Sequence, residues 1–303
     1  MRKMPESMPN KNRLGKYYKF AFGRRKQEKK MSYDSEKYKI TEAKEEIEGV
    51  KFLRVKCNLN PAPGQFFQAS IQGIGECPLA PCSYNKEYLE ILVRNAGSLT
   101  GKICRLKKGD FIWIRGNYGK GFPLDNLERK NIILVAGGTG IAPVASFLDY
   151  IDKNIKKPGK ILVYFGFRDE KHILVKKKLK KWSRKFRITI CLDKKTEKNN
   201  YEEGFINQII QKSRLKASNY LAFMCGPEVM MKNVTETLNN LGMKNNSIFW
   251  SMERRMECAM GNCGRCLIQD VYVCKDGPVF RYDKIKPKLD NEESSNKILI
   301  DGK

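Results

Sequence analysis

From about residue 129 onward the chain repeats one unit: an apolar run, a turn built on glycine or proline, then a stretch with helical spacing. "KNIILVAGGTGIAPVASFLDYIDK" contains the whole unit; "KILVYFGF", "FRITICLD" and "YLAFMCGPEVMMKNVTETLNNLG" repeat all or part of it. Strands alternating with helices predict right-handed βαβ units around a parallel sheet. In such a sheet a ligand lies beyond the carboxyl ends of the strands, where the glycine turns fall. Ahead of this region the rhythm is different. "KYKITEAKEEIEGVKFLRVKC", "GQFFQASI", "EYLEILVRN" and "DFIWIRGNYG" alternate or cluster β-formers between Gly, Pro and Asn, which predicts a small antiparallel barrel. The fold class is therefore α/β plus all-β.

A chain of 303 residues has room for two such domains and a small appendage. The expected boundaries are a basic flexible arm over 1–37, a barrel over 38–127, an α/β domain over 128–250, a cysteine segment over 251–283 and a loose tail over 284–303. No run approaches the about 18 apolar residues needed to cross a bilayer, so a soluble or peripheral protein is expected. The net charge of +26 arises from 59 Lys and Arg against 33 Asp and Glu. Basic residues are spread along the whole length instead of being gathered on one recognition helix, which argues against nucleic acid and for an acidic protein partner. In "LVKKKLKKWSRKFR", Leu174, Leu179 and Trp182 fall near helical spacing, as in a surface helix with a charged outer face. The single histidine, His172, leaves little scope for histidine acid, base or ligand chemistry.

The cysteine segment carries the sharpest chemical signal. Cys258-x4-Cys263-x2-Cys266-x7-Cys274 lies within "ECAMGNCGRCLIQDVYVC". The first three follow a ferredoxin-type spacing for a [2Fe-2S] centre, and the fourth closes the shell. Gly261 and Gly264 let the loop curl so that amide N–H groups can face sulfur. A structural zinc site is the competing reading, but its usual form has two Cys-x2-Cys pairs, and only one is present. A disulfide knot fits a short secreted domain, whereas this chain is long and does not open on a secretory leader. Cys57, Cys77, Cys82, Cys104, Cys191 and Cys225 are scattered singly, as buried or unreactive thiols of a reducing cytoplasm would be.

Two turns suit a dinucleotide. Gly137, Gly138, Thr139 and Gly140 follow the strand "IILVA" and precede a helix whose first N–H groups can meet a pyrophosphate. Cys225, Gly226 and Pro227 end another strand of the same region. A GGTG turn alone also serves as a plain tight connection. The pair strengthens the nicotinamide reading.

Taken in order, "RGNYGKGFPLDNL", "AGGTGIAPV", "MCGPEVMM", "ERRMECAMGNCGRC" and "VYVCKDGPVF" resemble the ferredoxin-NADP reductase superfamily, over about residues 40–283. More narrowly the chain resembles the flavin and iron-sulfur electron-transfer subunits of anaerobic sulfite reductase, of sulfhydrogenase (gamma) and of dihydroorotate dehydrogenase. The likeness to the first of these is strongest, through "LVRNAGSLT" and the short Cys266-to-Cys274 gap. The resemblance implies FAD in the barrel, met by Pro78, Leu79, Ala80 and Pro81, then by Leu92, Val93 and Arg94, and by Gly97, Leu99 and Thr100. Ala80 stands where the family often places a hydroxyl, which removes one hydrogen bond to the flavin. Arg94 keeps a planar donor suited to phosphate; its bland alternative is a strand-end cap.

The resemblance further implies that Gly137, Gly138, Thr139, Gly140, Ile141, Ala142 and Pro143, with Cys225, Gly226 and Pro227, lay the nicotinamide against the flavin. Cys225 would be a packing group, since hydride transfer needs no nucleophile. Phe167 and Arg168 are expected at the adenosine end. Asp193 beside Lys194 and Lys195 favours NADH over NADPH. The implied activity is oxidation of NAD(P)H through FAD, then single-electron transfer through the cluster to a catalytic or iron-sulfur partner subunit. A freestanding ferredoxin-type reductase and a basic zinc adaptor for nucleic acid are the alternatives.

Overall fold

The structure, a computed structural model, describes residues 33–195 and 200–301, with side chains described as far as Glu292. Residues 1–32 of the basic arm lie outside the described residues. The first strand already begins at Glu36, inside the stretch assigned to that arm.

Six antiparallel strands form the first sheet: β1 (Glu36–Ile47), β2 (Val50–Lys56), β3 (Phe66–Ile71), β4 (Gly75–Leu79), β5 (Tyr88–Arg94) and β6 (Phe111–Tyr118), in the order β4-β3-β6-β1-β2-β5. A bridge from Pro81 to Ile91 and a hydrogen bond from Cys82 N to Glu90 O at 2.8 Å join β4 to β5 and close the barrel. Its interior is filled by Ile40, Leu53, Phe67, Ile91, Val93 and Ile112, all inaccessible to solvent. Helix α1 (Ser98–Arg105) caps one end and buries Ile103.

The second sheet carries β7 (Asn131–Gly137), β8 (Ile161–Phe167), β9 (Arg187–Leu192), β10 (Glu202–Glu203), β11 (Tyr220–Cys225) and β12 (Ile248–Ser251) as parallel neighbours. Helices α2 (Ile141–Asn154), α3 (Lys176–Trp182), α4 (Ile206–Lys212) and α5 (Glu228–Asn240) connect them. The apolar run of β7 is buried from Ile132 to Gly137, as a central strand covered on both faces must be. From β7 the chain builds outward through β8, β9 and β10, then returns to place β11 on the other side of β7. The order therefore reverses between β7 and β11, where a crevice opens at the carboxyl ends.

Beyond β12 come the hairpin β13 (Leu267–Ile268) and β14 (Val271–Tyr272), the short α6 (Val273–Asp276) and β15 (Val279–Arg281). Strand β15 pairs antiparallel with β12, so the cysteine segment is clipped onto the sheet edge at both ends. The segment expected to be a loose tail is instead helix α7 (Tyr282–Asp301). Ile285 and Leu289, one turn apart, are buried in the same core as Trp250, which accounts for its order. No helix among the described residues is long and apolar enough to cross a membrane.

The lysine-rich stretch behaves as its spacing predicts, with Leu174, Leu179 and Trp182 buried and most of its lysines outward. Lys178 is different. Its Nζ lies 2.6 Å from Glu90 on β5, 3.2 Å from Asp149 on α2 and 2.8 Å from the Cys82 carbonyl. Trp182 donates to the same Asp149 at 3.1 Å. Burial alone would raise the Glu90 carboxyl, but the Lys178 and Arg54 charges bring it below its usual value. This pin therefore contributes at neutral pH and weakens as acid protonates Glu90 through its lowered folded-state pKa. Lys178→Ala is expected to destabilise the protein by about 1–3 kcal/mol, because Glu90 stays buried with one cation fewer. Chemical denaturation at pH 7 checks this, and the difference from wild type should shrink towards pH 3.

Candidate functional site

Two adjoining clefts open where barrel and parallel sheet meet. The larger, of about 700 Å³, lies over the carboxyl ends of β7, β8 and β9 and is walled by Gly137, Gly138, Thr139, Phe167, Arg168 and Pro227 among others. The smaller, of about 270 Å³, lies on the barrel side. Pro78, Leu79, Ala80, Leu92, Val93 and Thr100 line it, and Ala142, Pro143 and Cys225 face it from the sheet. Arg94 and Thr139 line both clefts. Residues from the barrel and from the parallel sheet, far apart in sequence, are thus brought together around two clefts with a shared wall.

The two glycine turns are fitted to each other. A β-carbon on Gly140 would lie 2.6 Å from the Cys225 carbonyl oxygen and 2.9 Å from Gly226 Cα. Gly226 has φ +151 and would meet Gly137 N at 3.0 Å. Gly138 (φ +52) has nothing within 4 Å of its missing side chain, so its backbone is open to whatever occupies the larger cleft. Gly140, Ile141 and Gly226 therefore form the support beneath the opening, not its lining.

Pro81, Gly97 and Leu99, also expected at the flavin, stand back from both clefts. Pro81 is buried behind the wall in its bridge to Ile91. Leu99 packs into the barrel core, and Gly97 precedes α1 with open space around it. Thr100 Oγ1 accepts from Ala96 N at 3.0 Å and donates to Gly97 O at 3.2 Å, tying the turn that starts α1. Burial pushes the Cys225 thiol up to about 12, despite a hydrogen bond with Ser251. It stays neutral at physiological pH.

Of the residues expected near the adenosine, Phe167, Arg168 and Asp193 line the larger cleft, while neither Lys194 nor Lys195 does. Lys195 Nζ donates to the Tyr201 carbonyl at 2.9 Å. His172 also faces this cleft, with Nδ1 2.6 Å from Asp169 and Nε2 2.5 Å from Arg168. Sequence reasoning missed it, and it missed the run Met252, Glu253, Arg254 and Met256 that walls the smaller cleft. The signal for that run was its position between a strand end and the first cysteine.

The cysteine loop is organised around sulfur. Cys258 Sγ accepts N–H groups from Met260 at 3.4 Å, Asn262 at 3.2 Å and Cys263 at 3.4 Å. Cys274 Sγ accepts from Gly261 N at 3.2 Å, and Cys266 Sγ from Cys274 N at 3.4 Å. Gly261 and Gly264 both sit at φ +77, the left-handed backbone that turns these amides inward. Burial opposes ionisation of Cys258, yet the three amides bring its thiol down to about 6. Its side chain also hydrogen-bonds with Cys263, while Cys266 hydrogen-bonds with Cys274. Among the described residues no three such side chains gather around a single metal position. Thiols that meet in two pairs suit a two-iron cluster, which would take two thiolates for each iron. Cys263 is exposed while Cys266 and Cys274 are buried, so the group would show one edge to solvent. The remaining cysteines are all free thiols whose pKa burial raises.

Two stretches of the chain match known family models. Residues 134–236 match the oxidoreductase NAD-binding domain, and residues 253–286 match the iron-sulfur cluster binding domain of dihydroorotate dehydrogenase B. The sulfhydrogenase 2 subunit gamma of Pyrococcus furiosus is 34% identical over 275 residues, covering 83% of this chain and 95% of that protein. A probable dihydroorotate dehydrogenase B (NAD(+)) electron transfer subunit from the same organism is 33% identical over 242 residues, covering 80% and 88%. Among solved structures, an NADH-dependent reduced ferredoxin-NADP oxidoreductase superposes with a TM-score of 0.68 at 20% identity, covering 88% of this chain and 98% of that one. A ferredoxin NADP+ reductase from Neisseria gonorrhoeae with bound FAD and NADP superposes with a TM-score of 0.60 at 16% identity, covering 70% and 93%, which speaks for the fold. The chain belongs to the family of electron-transfer subunits that join an oxidoreductase NAD-binding domain to an iron-sulfur cluster binding domain.

Proposed function

We propose that this chain oxidises NADH and hands single electrons to the catalytic subunit of a larger redox complex. The observation that carries the reading is that the two clefts adjoin, with Arg94 and Thr139 in the walls of both, and that the first cysteine of the quartet follows just past Met256 in the wall of the smaller. In this reading the larger cleft takes the dinucleotide, the smaller cleft the isoalloxazine of FAD, and the quartet a [2Fe-2S] cluster. When bound, these groups supply hydride acceptance from the nicotinamide and release of electrons one at a time.

The chain's own residues bind, orient and exclude water. The open Gly138 backbone and the start of α2 offer N–H groups to the dinucleotide pyrophosphate. Arg94 and the start of α1 offer the same to the FAD phosphates. Ser251 lines the smaller cleft and brings a hydroxyl into a site where Ala80 has none. Asp193 favours NADH, because a carboxylate in that wall repels a 2′-phosphate. The excess of basic residues fits a partner with an acidic docking surface, and the six unpaired cysteines outside the quartet fit a reducing cytoplasm. The relatives' names make hydrogenase and dihydroorotate dehydrogenase subunits the first partners to consider, alongside the sulfite reductase type that the sequence resembles.

Anaerobic reconstitution with FAD, iron and sulfide tests the reading. NADH is expected to bleach the flavin absorbance and then to produce the electron paramagnetic resonance signal of a reduced [2Fe-2S] cluster, with NADPH slower. A flavin that neither nucleotide bleaches would overturn it.

A further inference from the structure

Two buried side chains outside both clefts grip the segment that leads from the smaller cleft to the cysteine loop. Gln68 on β3 and Arg115 on β6 are register partners across adjacent strands. Gln68 is fully buried and Arg115 is 5% exposed. Gln68 Nε2 donates to the Met256 carbonyl at 3.3 Å and to Glu257 O at 3.2 Å. Arg115 donates to Glu257 O and to Cys258 O, both at 3.1 Å. Three consecutive carbonyls are thus held, from a residue of the cleft wall to the first cysteine of the quartet.

The rest of the guanidinium is also engaged. It donates to Glu76 through Nε at 2.8 Å and through a second nitrogen, and to Tyr118 Oη at 2.9 Å. Its carbon lies 5.4 Å from the centre of the Tyr33 ring, and Asn262 Nδ2 donates to the Tyr33 hydroxyl at 3.2 Å. The arginine therefore reaches both the start of the cysteine loop and, through Tyr33, its exposed turn. A buried cation is costly and persists where its partners are complete. Here the partners are a carboxylate on one side and the carbonyls of the cysteine loop on the other.

We infer that Arg115 is a positioning residue of the electron path: with Gln68 it fixes the spacing between the flavin cleft and the cysteine quartet, and its charge raises the reduction potential of the cluster held there. The inference rests on the functional reading above. A cation fixed at the Cys258 carbonyl favours the state that has gained negative charge, and Glu76 opposes it from the far side. The two groups therefore act with opposite signs, which a merely structural role does not produce.

The test is a redox titration of the cluster-loaded full chain followed by electron paramagnetic resonance, with dithionite and mediators in place of NADH. Arg115→Gln is expected to lower the midpoint and Glu76→Gln to raise it. Each should change the oxidised-to-reduced ratio about tenfold, equivalent to about 59 mV for one electron. Gln68→Leu should leave the midpoint in place and slow flavin-to-cluster transfer about tenfold, since it loosens the spacing without changing charge. Opposite shifts in the two charge variants support the inference. Shifts of the same sign, or none, overturn it. If Arg115→Gln purifies without iron, Glu76→Gln decides alone, and no upward shift overturns it. A wild-type chain that takes up no cluster overturns the functional reading together with this inference; a wild-type cluster with unmoved midpoints in the variants overturns this inference alone.

Discussion

Cys263→Ser is expected to separate the two halves of the electron path. Cys263 is the exposed member of the quartet, and its backbone N–H also supports Cys258 Sγ. Losing its thiol should lower electron delivery to the partner or to a one-electron acceptor by at least about 100-fold, since even groups that only orient metal ligands alter activity 10–100-fold. The flavin should still bleach with NADH, because Cys263 lines neither cleft. Iron content and the magnetic resonance signal would fall together with delivery. Cys104→Ser is the matched control: Cys104 packs against the barrel core and hydrogen-bonds to Val93 O at 3.4 Å. Delivery that persists in Cys263→Ser would show that electrons leave directly from the flavin, and the cluster would not be the exit.

Some of this path was legible in the sequence because it depends on local chemistry. The buried run of β7 shows its two covered faces as unbroken apolar residues, and the GGTG turn follows at once. The cysteine spacing likewise encodes the loop, since the left-handed glycines and the thiols they serve lie within a few residues of each other.

What escaped sequence reasoning depends on partners far along the chain. Arg115 and Gln68 look like the outward polar positions of barrel strands. Residues 256–258 fold back over them, as the Arg115 to Cys258 bond across 143 positions shows. Lys178 is one lysine in a charged run, and nothing local marks it as the one that crosses to Glu90. Pro287 and a polar composition disguised α7, whose order comes from Ile285 and Leu289 meeting a core built elsewhere. The same limit explains Pro81 and Leu99. A motif can mark the neighbourhood of a site, but which side of the wall each residue faces is decided by strand register and barrel closure.

Gly140→Ala is expected to cut NADH-driven bleaching of the flavin by about 100-fold, because displacing a reacting group by about 1 Å costs that much. The obstacle is backbone. The new β-carbon would meet the Cys225 carbonyl oxygen at 2.6 Å and its carbon at 2.8 Å, with Gly226 Cα at 2.9 Å. No side chain can rotate away, so the GGTG turn and the Cys225–Pro227 turn must separate, and Cys225 lies in the wall of the smaller cleft. Gly138→Ala is the informative companion. It meets nothing within 4 Å, so it adds only the strain of φ +52, about 1–2 kcal/mol, and the bulk of one methyl facing the larger cleft. Its effect should be weaker nucleotide binding with the bleaching rate largely kept at saturation. Rapid-mixing measurements over a range of NADH concentrations distinguish the two outcomes. In Gly140→Ala the cluster should still accept electrons from dithionite, because its loop is held from the barrel by Gln68 and Arg115. If Gly140→Ala bleaches at the parent rate, contact between the two turns does not set the geometry of hydride transfer, and the nicotinamide must be held by other walls of the larger cleft.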